Sequence, residues 1–412
     1  MRIPSEAELT RVYGECQESR KRYESLAKNF SERFGHEKAE FFSAPGRTEI
    51  VGNHTDHNGG KVLAASIDLD TIGAAYPNET NVIHIVSEGY RKEITVNLSA
   101  LDKIIKGSGT VALVAGMVEA AEKKGFKVGG FDAYVSTRVI SAAGVSSSAS
   151  FEMLVCSIIN YFFNEGRMDI TDYAKIGQYA ENVYWLKASG LMDQMACAAG
   201  GAILLDFSEE TPTYRQMEFS FEKAGYHLVI VNTGKGHADL SQEYSDVPSE
   251  MKQAAAAAGV SRLCETDLDH VLEKVSEIDN DRAILRAFHF FEENRRVVST
   301  AKAVEAGDYK EVLSLLDESG NSSWEWLQNC YSLQNCKEQK ITLALALTRL
   351  FLNRVGDGIC RVHGGGFAGV IMCVVPESES ENYVNYISKY FGRENVYPMG
   401  IRAVGAAHLG LE

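Results

Sequence analysis

Arg47, Asn53, His54, Asp56, His57 and Asn58 crowd one segment, PGRTEIVGNHTDHNGG, between Pro45 and Gly60. Planar and charged side chains separated by glycines suit the grip of a small, hydroxyl-rich molecule. Each hydrogen bond between a neutral hydroxyl and a charged group contributes roughly 1.5–3 kcal/mol, so a handful can hold a ligand with little apolar surface. The segment reads as a sugar-binding site.

A second stretch could hold an anion. Ser141 to Ser150, SAAGVSSSAS, is almost wholly Gly, Ala and Ser and leads into an apolar run fit for a buried helix. Small residues let backbone N–H groups approach a phosphate, and the helix offers the positive end of its dipole. Ser146, Ser147 and Ser148 add hydroxyls for phosphate oxygens or Mg²⁺, with plain N-capping as the bland alternative. In SGLMDQ, Ser189 to Gln194, Asp193 falls in the first turn of a short helix, where the dipole favours its ionised form. A carboxylate there can orient a hydroxyl and accept its proton, although capping accounts for an isolated Asp equally well. RVHGGGFAG, Arg361 to Gly369, sets three glycines between apolar strands, and a tight hairpin explains it when taken alone. No GxxxxGK[ST] pattern occurs, which excludes an ordinary P-loop enzyme. HTDH, His54 to His57, has the composition of a metal site, but His363 alone does not supply the missing ligand cluster of a metal-dependent hydrolase.

Strands and helices must bring these loops together. FFSAPGRTEIVG reads as a strand entering a turn, and KVLAASIDLDTIGAAYP and NVIHIVSEG follow as strands. TVALVAGMVEAAEKKG has helical period and stops at Gly125. FDAYVSTRVI is a strand, FEMLVCSIINYFFN a buried helix, Asp172 to Lys187 another helix, and AILLDF a buried strand. Ser208 to Pro212, SEETP, is the best candidate linker. Beyond it HLVIVNTG is a strand and MKQAAAAAG a helix. Further helices cover Asp281 to Leu316 and Thr342 to Arg354, and GICRVHGGGFAGVIMCVV is strand, glycine loop, strand. A helix near Glu381 to Tyr390 and short strands close the chain. The pattern is α+β in two lobes, residues 1–207 and 208–412.

Composition agrees with a globular chain of that size: 412 residues, 45% hydrophobic and 24% charged. A net charge of −15 without a basic block lacks the footprint of a nucleic-acid binder. Neither a signal peptide nor an apolar run of about 20 residues is present, so a cytoplasmic protein with no membrane partner is expected. The eight cysteines are scattered without a CxxC pair and read as small core residues in a reducing compartment.

Taken in order, PGRTEIVGNHTDHNGG, SAAGVSSSAS, SGLMDQ and RVHGGGFAG resemble the motifs of the GHMP kinases, and within them the galactokinases, over nearly the whole chain. The resemblance implies an N-terminal α/β lobe and a ferredoxin-like C-terminal lobe with the site between them. It also implies transfer of the ATP γ-phosphoryl group to the anomeric hydroxyl of a hexose, galactose first, by a monomer. Asp193 matches the catalytic base, and Arg47 matches the arginine that stabilises charge beside it. Asn53, His54, Thr55 and Asp56 fall at the sugar positions, as do the backbone of Gly190 and Tyr244 in SQEY. Ala142, Ala143, Gly144, Val145, Ser146, Ser147 and Ser148 match the triphosphate cradle, with Gly364, Gly365 and Gly366 beside it. Ser148 and Glu181, the latter in YAENVY, match the side chains that address Mg²⁺.

Departures leave the sugar open. Galactokinases usually carry Glu where Asn53 stands, contacting the hydroxymethyl end of the sugar. An amide donates as well as accepts, so Asn53 would tolerate a carboxylate at the six-position and favour galacturonic acid or another six-modified hexose. Glycines are usual at Ala142 and Ala143, and an arginine at Gly236, where the adjacent Lys235 could supply the cation. SSWEWLQNC also departs from the family segment. A sugar sensor that binds without turnover is kept open by Gly236 and opposed by Asp193 and Arg47.

Overall fold

The computed structural model describes residues 1–107, 109–141, 144–187, 189–234, 240–367 and 369–411. Helices α1 (Glu6–Tyr13) and α2 (Gln17–Phe34) precede the long strands β1 (Glu40–Val51) and β2 (Lys61–Pro77), which run antiparallel. Strands β3 (Val82–Ser87) and β4 (Ile94–Asn97), helix α3 (Thr110–Lys123) and β5 (Phe131–Thr137) follow. Then come α4 (Ser147–Asn164), α5 (Ile170–Tyr179), α6 (Met192–Ala199) and the hairpin of β6 (Ala202–Asp206) and β7 (Thr213–Met217). The helix expected to reach Lys187 gives way after α5 to a π turn over Ala180–Tyr184.

β2 is long enough to hold two partners: Lys61 to Ala65 pair with β6, and Thr71 to Pro77 pair with β5. Alternation along β1 sends successive side chains to opposite faces. Phe41 packs with Leu9, Tyr23, Leu26 and Phe30 of the first two helices, whereas Phe42 packs with Val114, Leu154 and Ile158 of the others. Helices thus cover both faces of the first sheet.

The second sheet begins with β8 (Tyr226–Asn232). After it come α7 (Ser241–Ala257), α8 (Leu268–Glu273), α9 (Asp281–Ala306), α10 (Tyr309–Ser322), a π turn over Ser323–Leu327, and α11 (Lys340–Val355). The hairpin β9 (Ile359–Val362) and β10 (Val370–Pro376), helix α12 (Ser380–Phe391) and β11 (Val396–Met399) complete it. Its order, β11-β8-β10-β9, and the succession strand, helices, hairpin, helix, strand are those of a ferredoxin-like lobe. One apolar cluster spans the two sheets, joining Ile50, Val51 and Leu63 to Leu228, Ile230, Val297, Leu316 and Met372.

Ser208–Pro212, expected as a linker, is instead the turn of the β6/β7 hairpin, whose first pair is Asp206 with Thr213. The first sheet also recovers β12 (Ala407–Leu409), which pairs with β1. It therefore draws on residues beyond the expected boundary at 208. β7 exposes four of its five residues and so lacks the apolar alternation that marks a strand in sequence.

Candidate active site

Arg47 lies where β1 shifts register against β2, between Pro45 and Arg47 and again between Glu49 and Val51. Such bulges re-aim side chains. Its Nε and Nη2 each stand 2.8 Å from Asp193 Oδ1. Nη1 donates to the Gly144 carbonyl, and the Arg47 backbone N–H donates to Val145 O at 3.1 Å. Ser146 Oγ donates to the other Asp193 oxygen. The sugar segment, the small-residue loop and α6 thus meet on one carboxylate.

Burial works against the charge on Asp193, but the Arg47 guanidinium and the Ser146 hydroxyl outweigh it and hold the carboxyl below its usual range. Asp193 is therefore an anion at neutral pH. Its side chain keeps 34% exposure against 7% for Arg47, so a substrate can reach the carboxylate while the guanidinium stays fixed. The Ser146 hydroxyl makes no cap bond to α4, which sets aside plain N-capping for this serine. Ser146, His54 and Phe367, one on each of three loops, have left-handed φ of 58–59°. Strain of that kind persists where the surroundings over-determine it and gathers at functional sites.

Ser147 opens α4, and Ser148 Oγ donates to Glu181 Oε1 at 3.0 Å. Glu181, on the π turn, also receives Lys187 Nζ at 3.1 Å and the Ser189 hydroxyl. Glu152 lies one turn beyond Ser148 on α4. Burial first, and then the charge of Glu181, push its carboxyl well above the usual range, and its Oε1 has no partner. With one hydroxyl and one carboxylate presented together, this corner fits Mg²⁺, which commonly takes one or two carboxylates plus substrate phosphates. Among the described residues no three His, Cys, Asp or Glu converge as a resident metal site. The donors suit a cation arriving with a triphosphate.

On the sugar side, Asp56 lies on a 3-10 turn, Asp56–Asn58, against Gly190, where a Cβ would stand 2.7 Å from Asp56 Oδ2. Only glycine leaves that approach open. His54 Nε2–H donates to Gly365 O at 2.9 Å, and burial, reinforced by His57, lowers its pKa to about 4, so the ring is neutral. Tyr244 donates to Gly366 O at 2.8 Å, and its ring fills the space a side chain on Gly365 would need. The three glycines expected beside the triphosphate are thus joined, through their carbonyls, to the sugar segment and α7.

Two expected sugar contacts are corrected. Asn53 has no exposed surface. Its Nδ2 donates to Gly364 O at 2.7 Å and Glu49 Oε1 at 3.1 Å, while Oδ1 accepts from Asn329 at 2.8 Å. The amide is spent inside the protein and is not available to a sugar's six-position in this conformation. Thr55, also fully buried, donates its hydroxyl to Lys61 O at 2.6 Å and to Gly52 O at 3.0 Å, so it closes the turn and does not face a ligand. Ala142, Ala143, Lys235 and Gly236 lie outside the described residues.

Residues without a motif hold the sugar segment in place. Glu293 of α9 accepts from the backbone N–H groups of Gly52 at 3.0 Å and Asn53 at 3.2 Å and from Ser319 Oγ at 2.6 Å, while Arg296 pairs with its other oxygen at 2.7 Å. His289 Nε2–H donates to Asn53 O at 2.9 Å. Arg361, on β9, reaches Glu49 at 2.8 Å. Asn329, which holds Asn53, comes from the departing stretch SSWEWLQNC. The available signal was an ionisable residue inside a strand: Glu49 and Arg361 are buried within β1 and β9.

Residues 28–77 match the family model described as the galactokinase galactose-binding signature, and residues 112–201 match the GHMP kinases N terminal domain. The chain is 31% identical over 364 residues to a galactokinase of Limosilactobacillus reuteri, covering 85% of this chain and 89% of that one. To a galactokinase of Clostridium tetani it is 29% identical over 382 residues, covering 91% and 94%. Among solved structures, the Lactococcus lactis galactokinase complexed with galactose superposes with a TM-score of 0.81 at 26% identity, over 94% of this chain and 99% of that one. A mevalonate kinase at 15% identity and TM-score 0.63, covering 88% of this chain and 99% of its own, shares the fold.

Proposed function

The chain belongs to the galactokinase family of the GHMP kinases, and from that membership we propose that it transfers the γ-phosphoryl group of ATP to the anomeric hydroxyl of galactose, giving galactose 1-phosphate and ADP. The observation that carries this reading is the single constellation of Arg47, Asp193, Ser146 and Gly144, which joins the sugar segment to the phosphate loop. Asp56 and the Gly190 backbone, which approach each other closely, would hold the galactose, with the neutral His54 as a further contact. Asp193 orients the anomeric hydroxyl and accepts its proton as the phosphoryl group leaves ATP. Phosphoryl transfer generally passes through a loose transition state, so positioning and charge stabilisation count for more than base strength. A carboxylate with a depressed pKa is sufficient for that late proton transfer, and Arg47 offsets the charge that develops beside it. Ser148 and Glu181 would address Mg²⁺, which on binding neutralises charge on the triphosphate.

Asp193→Asn is expected to leave galactose affinity nearly intact while lowering kcat by about 10²–10⁴-fold; an unchanged rate would remove Asp193 from the mechanism. A coupled ADP-release assay across galactose, galacturonate, glucose and N-acetylgalactosamine tests the substrate. Turnover confined to a sugar other than galactose would overturn the assignment, and saturable binding without ADP release would favour a sensor. The reading takes the protein as a cytoplasmic monomer, which sedimentation and cell fractionation check.

A further inference from the structure

The Glu181 carboxylate, almost fully buried on its π turn, is saturated by donors of its own chain. Oε1 accepts from Ser148 Oγ at 3.0 Å and from Lys187 Nζ at 3.2 Å, and Oε2 accepts from the same Nζ at 3.1 Å and from the Ser189 hydroxyl. A carboxylate offers about four lone-pair sites, so these four contacts leave none free. A metal ion on Glu181 must displace one of the three groups.

The three are not equal obstacles. The two hydroxyls can stay beside a metal, because a hydroxyl turns its hydrogen away and presents lone pairs of its own. The Lys187 ammonium has donors only, repels a second cation and lies across both carboxylate oxygens. The backbone puts it there: Leu186 takes a left-handed φ of 57°, and the Lys187 N–H donates to Glu181 O at 3.1 Å, which turns the segment back over the carboxylate. The Lys187 side chain is nevertheless 57% exposed. An ion pair with one partner largely in water is weakly held, and the flexible four-carbon stem lets the charge swing away.

We propose that Lys187 is a positioning residue of the metal corner, whose ammonium holds the Glu181 carboxylate in place of Mg²⁺ and is displaced when the ion binds. A buried carboxylate left without a counter-charge is costly, and Lys187 spares Glu181 that state while Ser148 keeps its place on Oε1. Only the fraction of protein with Lys187 swung away can take the ion, so affinity for the metal by itself is reduced by that fraction. Binding then depends on the phosphate oxygens that Mg²⁺ brings with it.

The inference rests on the kinase reading for the identity of the metal and is tested without turnover. The direct measurement is Mn²⁺ binding to nucleotide-free protein, read by electron paramagnetic resonance. Lys187→Met keeps the length of the side chain and removes the charge, and it is expected to bind Mn²⁺ about 10-fold more tightly than wild type. Lys187→Arg keeps the charge and should bind as wild type does, and Lys187→Met combined with Glu181→Gln should lose the gain. Equal Mn²⁺ affinity in wild type and Lys187→Met, a gain shared by Lys187→Arg, or a gain that survives Glu181→Gln would overturn the proposal. In the wild-type protein, isotope-labelled lysine gives a reading that needs no variant. The Cε resonance of Lys187 should shift when Mg²⁺ is added to the ADP-bound protein, and a resonance indifferent to Mg²⁺ would overturn the proposal. The wild-type ADP-release rate, measured alongside, reports separately on the kinase assignment.

Discussion

Asn53 and Glu49 act as a pair. Burial raises the Glu49 carboxyl above its usual range even though Arg361 and Arg47 pull the other way, and the Asn53 amide donates to both of its oxygens. An acidic residue at 53 would set two carboxylates in one buried volume. Asn53→Glu alone is therefore expected to destabilise the protein by about 3–5 kcal/mol, seen as a lower urea midpoint. Glu49→Asn combined with Asn53→Glu restores one amide and one carboxylate near Arg361, so the double variant should lose clearly less than the sum of the singles. Strict additivity would show that the two side chains do not depend on each other. Asn53 therefore does not select a six-modified sugar in this conformation, because its amide is committed to Glu49, Gly364 and Asn329.

α9 is the element that holds the sugar segment from the opposite lobe. His289, Glu293 and Arg296 share one buried face of it, as spacings of three and four residues place them. Burial opposes the Glu293 charge, yet His289, Arg296 and Arg361 with the Ser319 hydroxyl bring its pKa down to about 2. Glu293→Gln weakens the acceptor for the Gly52 and Asn53 N–H groups, so galactose affinity should fall severalfold while nucleotide affinity changes little, as titration calorimetry can read. A loss shared equally by both ligands would assign Glu293 to general stability. Burial also lowers the His289 pKa from 6.5 to about 4. Between those values the unfolded chain takes a proton that the folded ring refuses, so stability falls with acid by about 1.4 kcal/mol per pH unit from this group. His289→Asn should lose less stability than wild type across that window, and identical pH slopes in urea denaturation would refute the assignment.

At the scale of the molecule, Asp70 ties both ends of the chain to the first sheet. It is fully buried and receives Arg22 of α2 at 2.8 Å, Arg402 near the carboxyl end at 3.0 Å, Tyr13 at 2.7 Å and Ser43 at 2.6 Å. Burial disfavours its charge, but the two guanidiniums and the hydroxyls win and depress its pKa. Asp70→Asn leaves two cations without their counter-ion and is expected to cost about 3–5 kcal/mol, measured by denaturant midpoint; a change within error would show that solvent compensates. This tie joins residues hundreds of positions apart, and no local pattern announces it. What the sequence determined by itself was local: strand and helix periodicity, loops of small residues that admit a phosphate, and motifs whose order marks a GHMP kinase, because each depends on neighbouring positions. Tertiary structure decided which polar residues face a ligand. Asn53 and Thr55 share a segment with His54 and Asp56, yet their hydrogen bonds are consumed inside the fold. Only packing against β9, α9 and the glycine loop, elements far away in sequence, sets which donors are spent inside the fold.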